Sequence, residues 1–475
     1  NDFANDLPRL DDLNNENYDS LTISNFARIS KKRIFAISCS LVIVNVALAV
    51  EYSLATPLMA IFNMHSAMVA FVWFLCSAFT FFINPLSSSV SYSISNKFGR
   101  RRIFILIGSI LILTSLTAFY FINSYADQFL TNVQTQPSLK HNLVFIGFFF
   151  SLLLLHSSIT LIHSPSQSLL FELTPSHQHE QAKFISHIIS SISFFLPFAV
   201  GGLHLAKYIY KTSESEGLKN NQVLIIFSFF VILIALIICL LSTKEPSTNQ
   251  SNPFQNPFKQ MAQVFQYGPR PVFRMSIIYL FSWAAFTPVL TYLAHSFAFG
   301  SYQTIREFTV EGHCYGMIVL SLIQTTELMT FYFLPYVISK INMKWTYFLS
   351  MVLLTFLLIV SGVVHNLYVL VVIYSLIGFC SCAFKSIPFS LARIVVPAEQ
   401  YSIHRNIFGA AASIGSGISM IILGGIVGYF AKSKTEIVIA SGSVFSIIAA
   451  IGCKWMLLPT QATNEHEYLY SNPIR

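Results

Sequence analysis

Along its 475 residues the chain returns repeatedly to long apolar runs, and each is long enough to cross a bilayer. A hydrocarbon core about 30 Å thick needs roughly 20 apolar residues at 1.5 Å of helical rise each. Such runs fall near 33–63, 66–95, 102–123, 141–173, 182–209, 222–242, 271–299, 312–340, 345–363, 367–396, 404–431 and 435–458. The pattern predicts an all-α membrane protein of twelve transmembrane helices in two groups of six. Composition agrees, since 54% of residues are hydrophobic and only 10% are charged, which excludes a soluble domain of this length. The net charge of +8 is scattered between apolar runs and builds no basic domain or aromatic-interleaved stripe, so nucleic acid is excluded as a partner.

Basic residues set the expected orientation, because positively charged loops stay cytoplasmic. An inside N-terminus puts Arg28, Lys31, Lys32, Arg33, Lys97, Arg100, Arg101, Arg102, Lys183, Lys244, Lys259, Arg270, Arg274, Lys340, Lys344, Arg393, Arg405 and Lys454 inside. It leaves the thinner set Lys140, Lys207, Lys211, Lys219, Arg306, Lys432 and Lys434 outside. Both termini are therefore expected on the cytoplasmic side, of the plasma membrane or of an organelle. Residues 1–32 read as an acidic disordered tail, 33–242 as the first six-helix half, 243–270 as a cytoplasmic linker, 271–458 as the second half and 459–475 as a second tail. The chain opens at Asn1 and not at Met, which leaves its true N-terminus open. Seven cysteines, nearly all within or beside predicted spans, argue against a disulfide framework. No nucleophile–base arrangement, phosphate loop or metal cluster is legible, so no enzyme, cofactor or metal is expected.

Two six-helix halves joined by a linker, with a basic loop between helices 2 and 3, is the layout of a major facilitator transporter, whose solute site lies at mid-membrane between the halves. Local sequence narrows this. Asn84-Pro85 followed by Gly99-Arg100-Arg101-Arg102, with Ala49-Val50-Glu51 and Thr56-Pro57 in helix 1, resembles the sucrose-transporter-like solute carriers of animals. Their relatives are the plant sucrose–proton symporters, in the glycoside-pentoside-hexuronide:cation group. The resemblance continues through Pro165, Leu170-Phe171-Glu172, Ser176-His177-Gln178, Phe281-Ser282-Trp283 with Phe286, His365-Asn366-Leu367-Tyr368-Val369 and Ile387-Pro388-Phe389-Ser390-Leu391.

The resemblance implies movement of a small sugar or related polyol, usually with protons. It also exposes departures. His156 stands where the family has an acidic residue, and His163 where it has an Asp. Gln167 replaces a basic residue, His295 an Asp and Asn45 a Glu, while Tyr92 occupies the place of the loop Asp. That loop Asp normally locks the helix ends, so the lock of Arg100 to Arg102 is expected to be weakened, with Glu172 or Glu180 as substitute partners and anionic lipid headgroups as the alternative role.

A carboxylate in a membrane interior is costly unless protonated or paired, which makes it a natural proton-coupling group. Glu51, His156, His163 and Glu327 are the coupling candidates. His156, Thr160 and His163 share a helical face and predict a wet cavity. A zinc site is disfavoured, because i, i+7 is too long for one ion and the sequence shows no nearby acid or thiol. Lys385, inside a predicted span, either snorkels to the interface or, if truly interior, requires a partner such as Glu327 or Glu51. Sugar sites combine aromatic faces with hydrogen-bonding groups, so Asn45, His65, Thr160, Gln167, Trp283, Phe286, His295, Gln324 and Lys385 complete the candidate cavity. Two functions follow: a sugar transporter with altered coupling residues, or a scaffold of transporter fold that serves a protein complex and moves nothing.

Overall fold

The computed structural model describes residues 29–457 apart from 63, 95–97, 132–138, 211–218, 244, 246–253, 255, 300–308, 397–400 and 431–433. The tails expected at either end lie outside the described residues, except for the last few residues of the first. The long helices are α1 (Lys31–Ile61), α2 (Ser66–Ser93), α3 (Arg100–Thr131), α4 (Leu139–Glu172) and α5 (His179–Gly202). A short α6 (Leu205–Tyr210) precedes α7 (Lys219–Ser242). Then come α8 (Pro257–Tyr267), α9 (Arg270–Ala298), α10 (Val310–Val363), α11 (Leu367–Val395), α12 (Tyr401–Ser419), α13 (Thr435–Ser441) and α14 (Ser443–Gly452). A π-helical stretch, Met420–Val427, prolongs α12 toward Phe430.

Eleven of the described helical stretches are long and apolar enough to cross a membrane. One of them, α10, has 54 residues and would reach about 80 Å if straight, far beyond a bilayer. Asn342 breaks it with φ 61°, inside the polar turn expected between Lys340 and Lys344, so it spans twice and the total becomes twelve. The Asn342 side chain accepts from the amides of Lys344 and Trp345 and starts the second arm. Among the described residues the fold is thus all-helical, with twelve spans.

Two spans are shorter or more broken than apolarity suggested. Helix α5 stops at Gly202 and not at 209, because His204 takes φ 49° and turns the chain into α6. The last span is divided between α13 and α14 at Gly442. Within the Pro- and Asn-rich segment 243–270 lies α8, started by the Asn256 side chain accepting from Phe258 and Lys259 and by Pro257 in the first turn.

Helices α1 and α9 are central: 78% of the best spanning window of each is buried, against 28% for α2. Helix α1 packs on α4, α5 and α7, and α9 packs on α10, α12 and α14. The first and last six spans meet chiefly where α5 crosses α10, α2 crosses α12 and α1 crosses α9. At one end of the bundle α5 and α10 come so close that a Cβ on Gly202 would lie 2.5 Å from Ile318 Cγ1. Small residues allow such approach where lipid gives helices no hydrophobic drive to associate. Around the central helices, between the two groups, lies the cavity.

Candidate functional site

The cavity has two adjoining lobes of about 380 and 280 Å³. Leu48, Tyr52, His163, Gln167, Trp283, Phe389 and Arg405 line both, so the lobes are continuous in their walls. On α9 the lining residues Tyr279, Trp283, Thr287 and Thr291 recur every four residues, a single helical stripe. The larger lobe runs toward Phe171, Lys183, Arg393 and Tyr401, at the bundle end that carries Arg100 to Arg102.

Two acid–base pairs flank it. In the first, His156 Nδ1 lies 2.7 Å from Glu51 Oε1, and His156 Nε2 lies 2.8 Å from Thr80 Oγ1. Thr80 also approaches Thr160 at 3.4 Å, and Thr160 donates to the His156 carbonyl. Glu51 is fully buried, and its second oxygen has no hydrogen-bond partner. In the second, Lys385 Nζ reaches Glu327 Oε2 at 2.8 Å, and the Ser381 hydroxyl donates to the same oxygen at 2.7 Å. The Lys385 ammonium also sits 5.0 Å from the Phe286 ring centre. Among the sequence candidates, Glu51 thus meets His156 and Glu327 meets Lys385.

Asn45, Thr160, His163, Gln167, Trp283, Gln324, Glu327, Lys385 and His156 all line one or both lobes. His163 Nε2 and Gln167 Nε2 are 3.1 Å apart, one helical turn along α4. Four candidates fall outside both linings: Glu51, which is buried behind His156, and three cavity candidates. His65 caps α2, its Nδ1 accepting from Ala67, and its ring faces Tyr429. Phe286 is fully buried behind Lys385, edge-on to Phe384, one residue before the lining Thr287 and so turned off the lining stripe. His295 continues the stripe one turn beyond its last lining residue, and its ring packs at a tilt against Phe299, the ring centres 4.5 Å apart. The assumption that no acid or thiol approaches His156 is also overturned: Glu51 comes from α1 and Cys76 from α2, contacts between helices that spacing along one helix cannot reveal.

Sequence reasoning treated Lys183, Arg393 and Arg405 as loop charges, yet all three line the larger lobe. Arg405 donates to the Ser164 hydroxyl at 3.1 Å. Arg393 pairs with Glu180 at 2.7 Å, joining α11 to α5, and lies over Phe171 and Tyr401. Each sits near a span end, where a basic residue is ordinarily a topology signal, and only tertiary packing turns it inward.

The basic loop is better partnered than Tyr92 led us to expect. Arg101 reaches Glu172 at 2.7 Å and Arg100 reaches it at 3.1 Å. Arg101 also donates to the Ser88 carbonyl and the Ser91 hydroxyl. The Tyr92 ring lies 5.0 Å from the Arg100 guanidinium carbon. Glu245, just past α7, accepts from the backbone amides of Arg101 and Arg102 and so caps α3, where a carboxylate suits the helix dipole. Burial, partly offset by those amides, raises the Glu245 carboxyl above its usual range. Gly99 supplies the left-handed turn into α3 with φ 111°.

A family profile described as "MFS/sugar transport protein" matches residues 58–454. The chain belongs to that family of major facilitator transporters; it is an integral, multi-pass membrane transporter and not an enzyme. Among solved structures it is similar to a D-xylose–proton symporter, with TM-score 0.64 at 14% identity over 90% of this chain and 98% of that one. It is similar to the nucleoside transporter NupG, with TM-score 0.60 at 14% identity over 90% and 99%. It also resembles the POT family transporter PepTSo, with TM-score 0.64 at 10% identity over 93% and 99%. At such identities the likeness speaks for the fold alone. No curated protein sequence matches the chain significantly.

Proposed function

We propose that the protein moves a small sugar or related polyol by alternating access, with the Glu51–His156 pair as its proton site. The observation that carries this reading is the 2.7 Å contact between a fully buried carboxylate and an imidazole that lines the cavity. An imidazole ordinarily exchanges a proton near neutrality. With one shared proton the pair is net neutral, as acid and imidazole or as ion pair, and releasing that proton leaves one negative charge, so loading and unloading change the charge of the site as the carrier cycles. Trp283 and Tyr52 offer aromatic faces to both lobes, and Asn45, Gln167, Gln324 and Thr160 offer hydrogen bonds, a combination suited to a ring of hydroxyls. The solute enters the larger lobe from the Arg100–Arg102 end, which the charge pattern assigns to the cytoplasm. The opposite end is closed where Gly202 meets Ile318. Rocking the two six-helix groups exchanges these states.

A second reading, an acidic sugar in place of a neutral one, is favoured by Arg405 and Lys183. Both line the larger lobe, and no carboxylate lies within ion-pair distance of either among the described residues. Uptake of radiolabelled sucrose, glucose and glucuronate into proteoliposomes, at two external pH values and with Glu51→Gln beside the wild type, tests both. Acid-stimulated uptake that Glu51→Gln abolishes supports the proton site. Glucuronate uptake that Arg405→Gln removes selects the second reading, and no flux under any gradient defeats both.

A further inference from the structure

We infer that Glu51, Cys76 and His156 form a binding site for a thiophilic divalent cation of the zinc class, opening on the smaller lobe of the cavity. One carboxylate oxygen, the thiol sulfur and an imidazole nitrogen, brought by α1, α2 and α4, all lie within 4.8 Å of one another. Ion–ligand bonds of about 2.0–2.3 Å place tetrahedral donor pairs about 3.3–3.7 Å apart. The three side chains therefore need only small rotations to close on one ion. Glu51 Oε1 and His156 Nδ1, at 2.7 Å, are nearer than that spacing. An ion taking the place of a shared proton moves them apart by about 0.6 Å, the difference from the short end of that range.

Two further features point to a ligand. Glu51 is fully buried, yet its Oε2 has no hydrogen-bond partner, an arrangement that costs free energy until something supplies one. His156 is already oriented as metal-bound histidines are: Thr80 engages Nε2 at 2.8 Å and leaves Nδ1 turned toward Glu51. Cys76, Thr80, His156 and Thr160 all face the smaller lobe, which leaves space for water or a solute hydroxyl in a fourth position. The mixed sulfur, nitrogen and oxygen donors select zinc-like ions over Mg²⁺ or Ca²⁺, which require oxygen-rich shells. A divalent ion with one thiolate, one carboxylate and one neutral imidazole carries no net charge, as the membrane interior demands. Binding releases the thiol proton and the proton held by the Glu51–His156 pair to solvent, so the cation and protons compete.

The test is equilibrium titration of the purified full-length protein in detergent with Co²⁺, read by the thiolate-to-cobalt charge-transfer absorption, and then with Zn²⁺ as competitor. The expected result is one equivalent bound, a thiolate band displaced by Zn²⁺ and affinity that falls as pH is lowered. Cys76→Ser, nearly isosteric, loses the band, and His156→Gln weakens binding by at least about tenfold, within the range seen for perturbed metal sites. Size-exclusion profiles confirm that both variants remain folded. No thiolate band in the wild type, a band that survives in Cys76→Ser, or several weak equivalents without a band would each overturn the site. None of these readouts needs transport, so failure here is distinguishable from failure of the proton-coupled reading.

Discussion

The two buried acid–base pairs, one in each group of six helices, look alike on paper and differ in what they can do. Glu327 has both a hydroxyl and an ammonium on one oxygen, from Ser381 and Lys385, and the ammonium is further held by the Phe286 ring. Glu51 has one imidazole on one oxygen and nothing on the other. A carboxylate held by both an ammonium and a hydroxyl suits a fixed brace, whereas an imidazole is the side-chain base whose ordinary proton exchange falls near neutrality. The base that accompanies a buried acid, more than the acid itself, thus separates a structural pair from one suited to coupling.

The largest effect expected on stability comes from cutting the second pair. Glu327→Gln strands the Lys385 ammonium, whose side chain is only 24% exposed, and costs about 3 kcal/mol, the low end for breaking a buried pair. The double variant Glu327→Gln with Lys385→Met should recover most of that loss in thermal unfolding of the protein in detergent. A single variant as stable as the wild type would remove the distinction between brace and switch. Glu51→Gln keeps a hydrogen-bonding partner for an uncharged imidazole, so its expected cost is about 1 kcal/mol. The same variant should abolish acid-stimulated uptake. Equal destabilisation by the two Glu→Gln changes would show that the pairs are not different in kind.

The smallest effect belongs to a third carboxylate, Glu245, which lies outside the spans. Its carboxyl is raised by burial, so the folded protein holds the proton more tightly than the unfolded chain does. The associated stability is fully present below the ordinary glutamate range and is lost as pH rises through the raised value. Glu245→Gln retains an acceptor for the α3 amides and should flatten that slope, a change of well under about 1 kcal/mol for a partly exposed group. Unfolding midpoints collected from pH 4 to 7 would reveal it, and an unchanged slope would place the pH dependence elsewhere.

Much of this molecule was legible in the chain. Span number, the Asn342 turn, the interior position of Glu51 and the need of Lys385 for a partner all follow from apolar length and from the cost of an unpaired charge in lipid. Asn45, Thr160, Gln167, Trp283, Gln324 and Lys385 line the cavity, as polar or amphipathic residues in apolar helices have few other places to go. His65, Phe286 and His295 were misplaced because helical phase and depth decide whether a side chain meets a cavity, and neither is encoded in residue type. Arg405 and Lys183 escaped because a basic residue near a span end looks the same whether it faces headgroups or turns inward.

By itself the sequence determined that the chain crosses the membrane twelve times, since free energy of transfer is local and sums along each run. It could not say that α1 and α9 are central while the equally apolar α2 faces outward, because lipid and protein interior are nearly the same solvent to a leucine. Nor could it bring Glu51, Cys76 and His156 together from three helices. Those contacts depend on which helix faces meet, and that was decided only by packing in three dimensions.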